Sequence, residues 1–241
     1  MRLTKTLLTC LLALACLAPA MAPAETIPGE PMLRHFSAED TKATPTHLAL
    51  TTGVNGELFV GNVEGVLRHD GVDWLITPLP GRSPARSLAI GTDGQVYVGG
   101  YDTFGRLVRN ADGELSFEEL LTRAGLRDQQ RFVGIVWETI ATTTGVYFRA
   151  EQAMHFVPYG PGEAKRWPLD ENVRSFFPVG DALYARIDGR GLCRFEDGKF
   201  TLVPGGEMFA KRMLVGLIDR GGWHLLVSRD GFYRADATGI A

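Results

Sequence analysis

The sequence predicts an all-β protein, a β-propeller-type repeat of four-stranded antiparallel blades, about five in number. Three observations carry this prediction: a recurring glycine-led segment, a period in the low forties, and glycine turns between short apolar runs. Each glycine-led segment runs through apolar residues to an arginine, and the copies lie at residues 65–68, 105–109, 191–194 and 231–234. Their glycines are 40, 86 and 40 residues apart, so a further copy is expected near residues 152–156. Such periods, with several short strands per repeat, are typical of propeller blades.

The first two strands of each repeat are recognised by their apolar, aromatic and β-branched residues. The first strands are predicted at residues 47–51, 87–91, 132–139, 175–179 and 213–218. The second strands are predicted at residues 58–60, 96–98, 146–148, 183–185 and 225–227. The glycine-led segment forms the third strand of each repeat.

Turn dipeptides separate these strands. Asn-Gly and Asp-Gly tolerate the positive φ of tight hairpin turns, so their recurrence indicates antiparallel meanders. They occur at Asn55-Gly56, Asp70-Gly71, Asp93-Gly94, Asp112-Gly113 and Asp197-Gly198. The fifth repeat has no predicted fourth strand. Residues 116–119, before Leu120, are predicted as the capping box of a short helical insert.

The domain organisation follows from the repeats, which span approximately residues 46–85, 86–130, 131–173, 174–211 and 212–241. Residues 25–45 precede them, and within that segment residues 32–36 are predicted to form a strand that completes the last repeat and closes the ring. The alternative is that the five repeats are an incomplete part of a larger propeller.

The N-terminus predicts export. Arg2 and Lys5 precede an apolar run at residues 7–17, and Ala22 and Ala24 give the small-x-small pattern of a signal peptide spanning residues 1–24. The mature chain is therefore expected in the periplasm. The alternative is a lipoprotein anchored at Cys16, although the leucine expected three residues upstream is missing.

The repeat also carries a family resemblance. Residues 57–71, followed by Trp74 and residues 78–80, resemble the two-component regulator propeller repeat of bacterial sensor proteins, and residues 98–105 resemble its second-blade variant. The resemblance covers roughly residues 33–241. It implies a periplasmic sensor region that precedes a membrane helix and an output module of histidine kinase, diguanylate cyclase or transcription-regulator type. Because neither follows residue 234 here, the chain is expected to be an N-terminal piece or a truncated homologue.

Charge and cysteine content exclude several classes of function. After loss of the signal peptide, 23 Lys and Arg face 28 Asp and Glu, a formal net charge of −5, and no basic stripe favours nucleic acid. Cys193 alone remains, which excludes an intramolecular disulfide and a cysteine metal cluster. We expect no metal and no cofactor.

Catalytic motifs are not found. The histidines at positions 35, 47, 69, 155 and 224 have no metal-binding spacing, and no nucleophile elbow or phosphate-binding loop occurs. We therefore expect no catalytic residue in this chain. The alternatives are a propeller-fold enzyme, a hydrolase or lyase whose site is assembled across blades, and a structural protein–protein scaffold.

One set of residues predicts binding. An arginine stands immediately before the first strand in four repeats, at Arg86, Arg131, Arg174 and Arg212. First strands line the channel of a propeller, so these guanidinium groups could ring one mouth and bind an anionic ligand. Tyr101 and Phe104 would add stacking surface for a saccharide. In the alternative, each arginine bonds carbonyls or an aspartate of the adjoining blade.

The function predicted from the sequence is thus a periplasmic, non-catalytic ligand-sensing or interaction region of a signal-transduction protein. The expected partners are an unknown small molecule, anionic or saccharide, and a signalling partner or a second copy of the chain.

Overall fold

The computed structural model describes residues 33–126, 132–169, 172–236 and 239–240. The chain divides into two compact units, Met1–His35 and Phe36–Ala241. In the first unit the described residues, 33–35, form no regular secondary structure. The predicted signal peptide lies outside the described residues, as does Arg131.

The described part of the second unit contains five antiparallel sheets of four strands each, which confirms the predicted fold class. The first sheet holds β1 (His47–Thr52), β2 (Leu58–Asn62), β3 (Gly65–His69) and β4 (Trp74–Thr77). The second holds β5 (Ser87–Ile90), β6 (Val96–Gly99), β7 (Phe104–Arg109) and β8 (Leu115–Glu119). The third holds β9 (Glu138–Ala141), β10 (Gly145–Arg149), β11 (Ala153–Pro158) and β12 (Lys165–Pro168).

The fourth sheet holds β13 (Val173–Val179), β14 (Ala182–Ile187), β15 (Gly191–Glu196) and β16 (Lys199–Leu202). The fifth holds β17 (Leu214–Asp219), β18 (His224–Ser228), β19 (Gly231–Asp236) and β20 (Gly239–Ile240). In every sheet the strands pair in chain order, as a meander does. Short helices lie at α1 (Ala38–Thr41), which Ser37 caps, and as 3-10 turns at Pro80–Arg82 and Gly206–Phe209.

The predicted hairpin turns are confirmed by their backbone angles. Gly56, Gly94 and Gly113 have φ values of 81°, 77° and 82°. In the fourth sheet both turn residues are left-handed, Asp197 at 45° and Gly198 at 79°, a combination typical of two-residue hairpin turns.

Two local predictions, one of a strand and one of a helix start, were wrong. Residues 132–137 of the third predicted first strand form only an isolated bridge, Ile135 with Tyr101, because Val133 and Val136 are buried against the second and third sheets as part of a connection. The capping box predicted at residues 116–119 is also wrong. That segment is β8, in which Leu115 and Phe117 alternate toward the core between the first two sheets.

The closure of the last sheet also differs from the prediction. β20 supplies the fourth strand and pairs with β19, Ala235 opposite Ile240. Residues 33–36 form no strand, and Met32 lies outside the described residues. Phe36 instead packs on the first sheet, with its ring 5.0 Å from that of His69 and 5.2 Å from that of Trp74.

The core lies between neighbouring sheets. Phe104 of the second sheet stacks on Phe148 of the third at 4.4 Å between ring centroids. Cys193 is buried between the third and fourth sheets, and Phe209 between the fourth and fifth. The first strands of successive sheets contact each other in order from β1 to β17. Across the described residues the sheets do not close into a ring, so the arrangement fits a partial propeller.

Candidate functional site

Two clefts lie at the edge of the sheets where first strands begin and second strands end. These positions share an edge because consecutive strands are antiparallel. Backbone hydrogen bonds join the sheets there, from Ala85 N–H to the Asn62 carbonyl (2.9 Å) and from Gly189 N–H to the Ala210 carbonyl (2.9 Å). A ligand in either cleft would thus contact loops that neighbouring sheets hold in place.

The first cleft has a volume of about 720 Å³ and lies between the first three sheets. Its lining includes Arg86, Tyr101, Asp102, Thr103, Glu119 and Ile135. The guanidinium of Arg86 lies over the ring of Trp137, 4.7 Å from its centroid. Arg86 makes no ion pair with any residue that the structure describes, so its charge is available to a ligand.

The aromatic wall of the first cleft is Tyr101, which is 50% exposed. Its backbone N–H donates to Ser83 Oγ at 2.6 Å, and its ring meets that of Phe132 edge-on at 6.5 Å. The hydroxyl of Thr103 donates to Glu119 Oε1 at 3.1 Å. Both backbone and side chains therefore hold this wall in one position.

Asp102 adopts a left-handed backbone, with φ of 51°. Two hydrogen bonds to Gly134 hold it, from Asp102 N–H to the Gly134 carbonyl (2.9 Å) and from Gly134 N–H to Asp102 Oδ1 (2.7 Å). A left-handed residue other than glycine costs roughly 1–2 kcal/mol and persists when its surroundings determine it, commonly at ligand sites. The bridge fixes the Tyr101–Asp102 corner against the connection into the third sheet.

The second cleft has a volume of about 810 Å³ and lies between the third, fourth and fifth sheets. Its charged lining consists of Glu138, Arg174, Arg186, Asp188 and Lys211. Arg174 and Arg186 both pair with Asp188. The hydrogen bond from Arg174 is the main cause that lowers the pKa of Asp188. Lys211 makes no ion pair within the described residues, so this lining has a basic excess.

Arg186 and Glu138 connect neighbouring sheets. Arg186 is only 7% exposed and donates to the carbonyls of Phe209 (3.1 Å) and Ala210 (3.2 Å), on the connection into the fifth sheet. Glu138 accepts from Arg149 Nε at 2.7 Å and from Phe176 N–H of the fourth sheet at 3.1 Å. Burial raises the pKa of Glu138, and the attraction of Arg149 opposes this only in part.

The structure separates the residues that the sequence grouped. Arg86 and Tyr101 share the first cleft, whereas Arg174 lines the second. Arg212 turns to its own sheet, where it bonds Tyr233 Oη at 2.5 Å and pairs with Asp230 at 3.4 Å. Phe104 is fully buried in the core, which places it away from any ligand.

A different arginine has the alternative role that the sequence predicted, a bond to the adjoining blade. Arg174 and Arg212 pair with aspartates of their own sheets, while Arg186, which the sequence analysis did not single out, links two sheets. A signal for Arg186 exists in the sequence, since it is the one charge in the apolar run 182–187. A charge in such a run is a buried polar residue with a structural partner.

No family model and no curated protein matches the chain. Solved structures match it at low identity. The fold is that of a β-propeller. Virginiamycin B lyase from Staphylococcus aureus is similar at a TM-score of 0.56 and 14% identity, covering 81% of this chain and 68% of the lyase. The WD40 β-propeller domain of Doa1 is similar at a TM-score of 0.53 and 13% identity, covering 80% of this chain and 65% of that one.

The extracellular domain of a putative one-component system from B. thetaiotaomicron is similar at a TM-score of 0.57 and 16% identity. The match covers 81% of this chain and 27% of that domain, so the chain spans about a quarter of its length. These likenesses concern the fold, which both sensors and enzymes use.

The helices in the described part of the chain are too short to cross a bilayer. Within the same residues, His, Cys, Asp and Glu side chains do not come together in groups of three that would hold a metal ion.

Proposed function

We propose that this protein is an exported, non-catalytic ligand-sensing region of a bacterial signal-transduction protein, and that the first cleft binds its ligand. The observation that carries the proposal is that two side chains line the same open cleft: Arg86, which makes no ion pair within the described residues, and the half-exposed Tyr101. The likeness to the extracellular domain of a signalling system supports it at the level of the fold. Residues 1–24 would direct export to the periplasm, as a cleaved signal peptide or through a lipid on Cys16.

The lining of the first cleft favours an acidic saccharide. The ring of Tyr101 offers an apolar face to the C–H groups of a sugar, and Arg86 offers a planar donor set to a carboxylate. Asp102 and Glu119 add carboxylates that accept hydrogen bonds from sugar hydroxyls. The lining also holds Arg82, a second arginine that makes no ion pair within the described residues. The mixture of one aromatic, two arginines and two acids suits a polar ring that carries negative charge better than it suits a bare anion.

A binding screen by thermal unfolding tests this proposal. Uronic-acid oligosaccharides, neutral oligosaccharides and inorganic anions are compared on the exported chain. A ligand at 100 times its Kd stabilises the folded state by about 2.7 kcal/mol, which raises the Tm by roughly 5–10 °C. We expect the acidic sugars to give this shift and the neutral sugars a smaller one.

Matched variants locate the site. Arg86→Ala and Tyr101→Ala should remove the shift, while Arg194→Ala, an exposed arginine of β15 outside both clefts, should keep it. If acidic sugars shift Arg86→Ala as strongly as the parent, the ligand lies elsewhere and the proposal is wrong.

A propeller-fold lyase is the second candidate, because the raised pKa of Glu138 in the second cleft is typical of a group that transfers protons. One of the similar structures is a catalytically inactive virginiamycin B lyase with quinupristin. Incubation of this protein with quinupristin, followed by mass spectrometry, tests the candidate. Turnover that Glu138→Gln removes would favour the lyase, and an unchanged substrate would favour the sensor.

A further inference from the structure

A third cavity lies apart from both clefts and shares no lining residue with them. It has a volume of about 320 Å³ and lies against the third sheet, beside the turn that follows β8. Its walls combine apolar side chains, with Leu126, Val133 and Ala150 among them, with the polar side chains of Gln152, His155 and Arg166. A cavity that combines apolar surface with a small number of polar side chains is a common form of small-molecule site.

His155 is the unusual residue of this cavity. It lies in β11 between Phe148 of β10 and Arg166 of β12, in register with both, and it is buried. Its Nδ1 is buried and has no hydrogen-bond partner among the described residues. Because an unsatisfied buried nitrogen costs roughly 1–3 kcal/mol, such a group calls for a partner.

The imidazole of His155 is neutral at neutral pH. Burial, together with the charge of Arg166, lowers its pKa from the ordinary 6.5 to about 4. A neutral imidazole offers one N–H donor and one acceptor nitrogen. The side chain is therefore able to donate a hydrogen bond to an anion without itself contributing a charge.

Arg166 supplies the charge. It lies directly opposite His155 on the neighbouring strand and is exposed at the cavity, and it makes no ion pair within the described residues. Side chains of directly opposed residues on antiparallel strands start about 5 Å apart, so their polar ends reach the two oxygens of one carboxylate. Leu126, Val133 and Ala150 give apolar surface for the body of the ligand, and Gln152 adds one polar side chain beside it.

We propose that this cavity binds a small carboxylic acid with an apolar body, whose carboxylate pairs with Arg166 and accepts a hydrogen bond from His155. The cavity volume equals that of roughly ten water molecules in the liquid. This volume limits the apolar body of the ligand to about one ring. This site shares no lining residue with the first cleft, which would take a larger and more polar ligand.

Titration with benzoate tests the proposal, with benzamide as the neutral compound of the same shape. The expected result is saturable binding of benzoate by calorimetry at concentrations up to about 10 mM, with benzamide at least about tenfold weaker. The imidazole NMR signals of His155, assigned from their loss in His155→Phe, should move on benzoate addition. Failure of benzoate to bind in this range would overturn the proposal.

Variants separate the site from general anion binding. Arg166→Ala should weaken benzoate at least about tenfold, and because Arg166 is exposed this variant should fold like the parent. Arg194→Ala, with an exposed arginine of the fourth sheet, is the control and should bind benzoate as the parent does. Equal binding by both variants, or no movement of the His155 signals, would place the anion elsewhere and contradict the proposal.

Discussion

Glu138 and Glu118 show how the surroundings of an arginine–glutamate ion pair determine its contribution to stability. Each accepts from an arginine Nε at 2.7 Å, Glu138 from Arg149 and Glu118 from Arg106. The side chain of Glu138 is 25% exposed and also accepts from a backbone N–H of the next sheet, whereas that of Glu118 is 44% exposed. Removal of Glu138 would leave two donors without their partner near the interior.

We therefore predict that Glu138→Ala lowers the free energy of unfolding by about 2 kcal/mol. Glu118→Ala should lower it by less than about 1 kcal/mol, because water screens and replaces the exposed pair. Urea unfolding of the two variants and the parent measures both values. Equal losses would mean that the hydrogen bond between sheets contributes nothing.

His155 predicts a dependence of stability on pH. Its pKa of about 4 in the folded chain is below the 6.5 of the unfolded chain. Below pH 6.5 the unfolded chain therefore binds more protons, so stability is fully present above that pH and is lost as the pH falls toward 4. The expected loss is about 3 kcal/mol over this range.

The variant His155→Phe should lack this part of the pH dependence, since it has no imidazole to protonate. Urea unfolding between about pH 7 and pH 4.5 checks the difference between the two proteins. Parallel curves for parent and variant would show that His155 keeps its ordinary pKa in the folded chain.

At the scale of the strand, the glycine at the start of the third strand has a steric explanation. A methyl group at Gly65 would overlap the Thr77 carbonyl, and at Gly105 or Gly191 it would overlap the carbonyl of Glu118 or Gly206. The start of the third strand thus lies against the backbone of the fourth strand, or of the segment that follows the fourth strand. A methyl group at Gly231 would meet no described atom closer than the Tyr233 hydroxyl at 3.9 Å, in keeping with the short β20 of the fifth sheet.

This contact predicts a severe effect of Gly105→Ala. The two backbones must move apart, which should cost about 3 kcal/mol of stability. Gly160→Ala is the control, because no atom lies within 4 Å of its added methyl group and its φ is not positive, so its stability should be unchanged or slightly higher. Thermal unfolding of both variants gives the comparison, and similar melting temperatures would contradict the steric explanation.

At the scale of the whole unit, the open arc leaves the outer face of the fifth sheet uncovered. Ile218 of β17 and Phe232 of β19 are exposed there, Phe232 to 75%. Their cross-strand neighbours place them on the face opposite Leu217 and Leu226, which pack against the fourth sheet. Clustered exposed apolar side chains promote association, unlike single ones.

We predict that Phe232→Ser reduces concentration-dependent self-association and changes the Tm little, because the ring contributes little to the core. Val72→Ser is the matched control, since Val72 is equally exposed but lies alone in a turn. Sedimentation of the parent and both variants measures the effect. If both variants associate as the parent does, the outer face is not the region of contact.

The sequence alone determined the repeat, the all-β class, the meander order of the strands and the hairpin turns, but it did not predict the fourth strand of the fifth sheet. These features are local: a turn needs positive φ at Gly56 or Gly94, and Gly65 and Gly105 lie against the backbone of the fourth strand that pairs with theirs. Local signals failed where a segment was compatible with more than one structure. Residues 132–137 form a connection in which Val133 and Val136 are buried, and residues 116–119 lie in β8, because packing against other sheets, and not propensity, decides such segments.

Only the tertiary structure decided which polar side chains meet. Arginines at one repeat position look equivalent in the sequence, yet Arg86 lies over Trp137, Arg174 pairs with Asp188 and Arg212 turns to Tyr233. Their partners come from different connections, which do not repeat. The buried Arg186 and His155 and the partly buried Glu138 were missed for the same reason. The residues that surround a polar group in space determine whether its role is functional or structural. Repeat spacing determines the backbone of a blade, but it does not determine the charge of the side chains between blades.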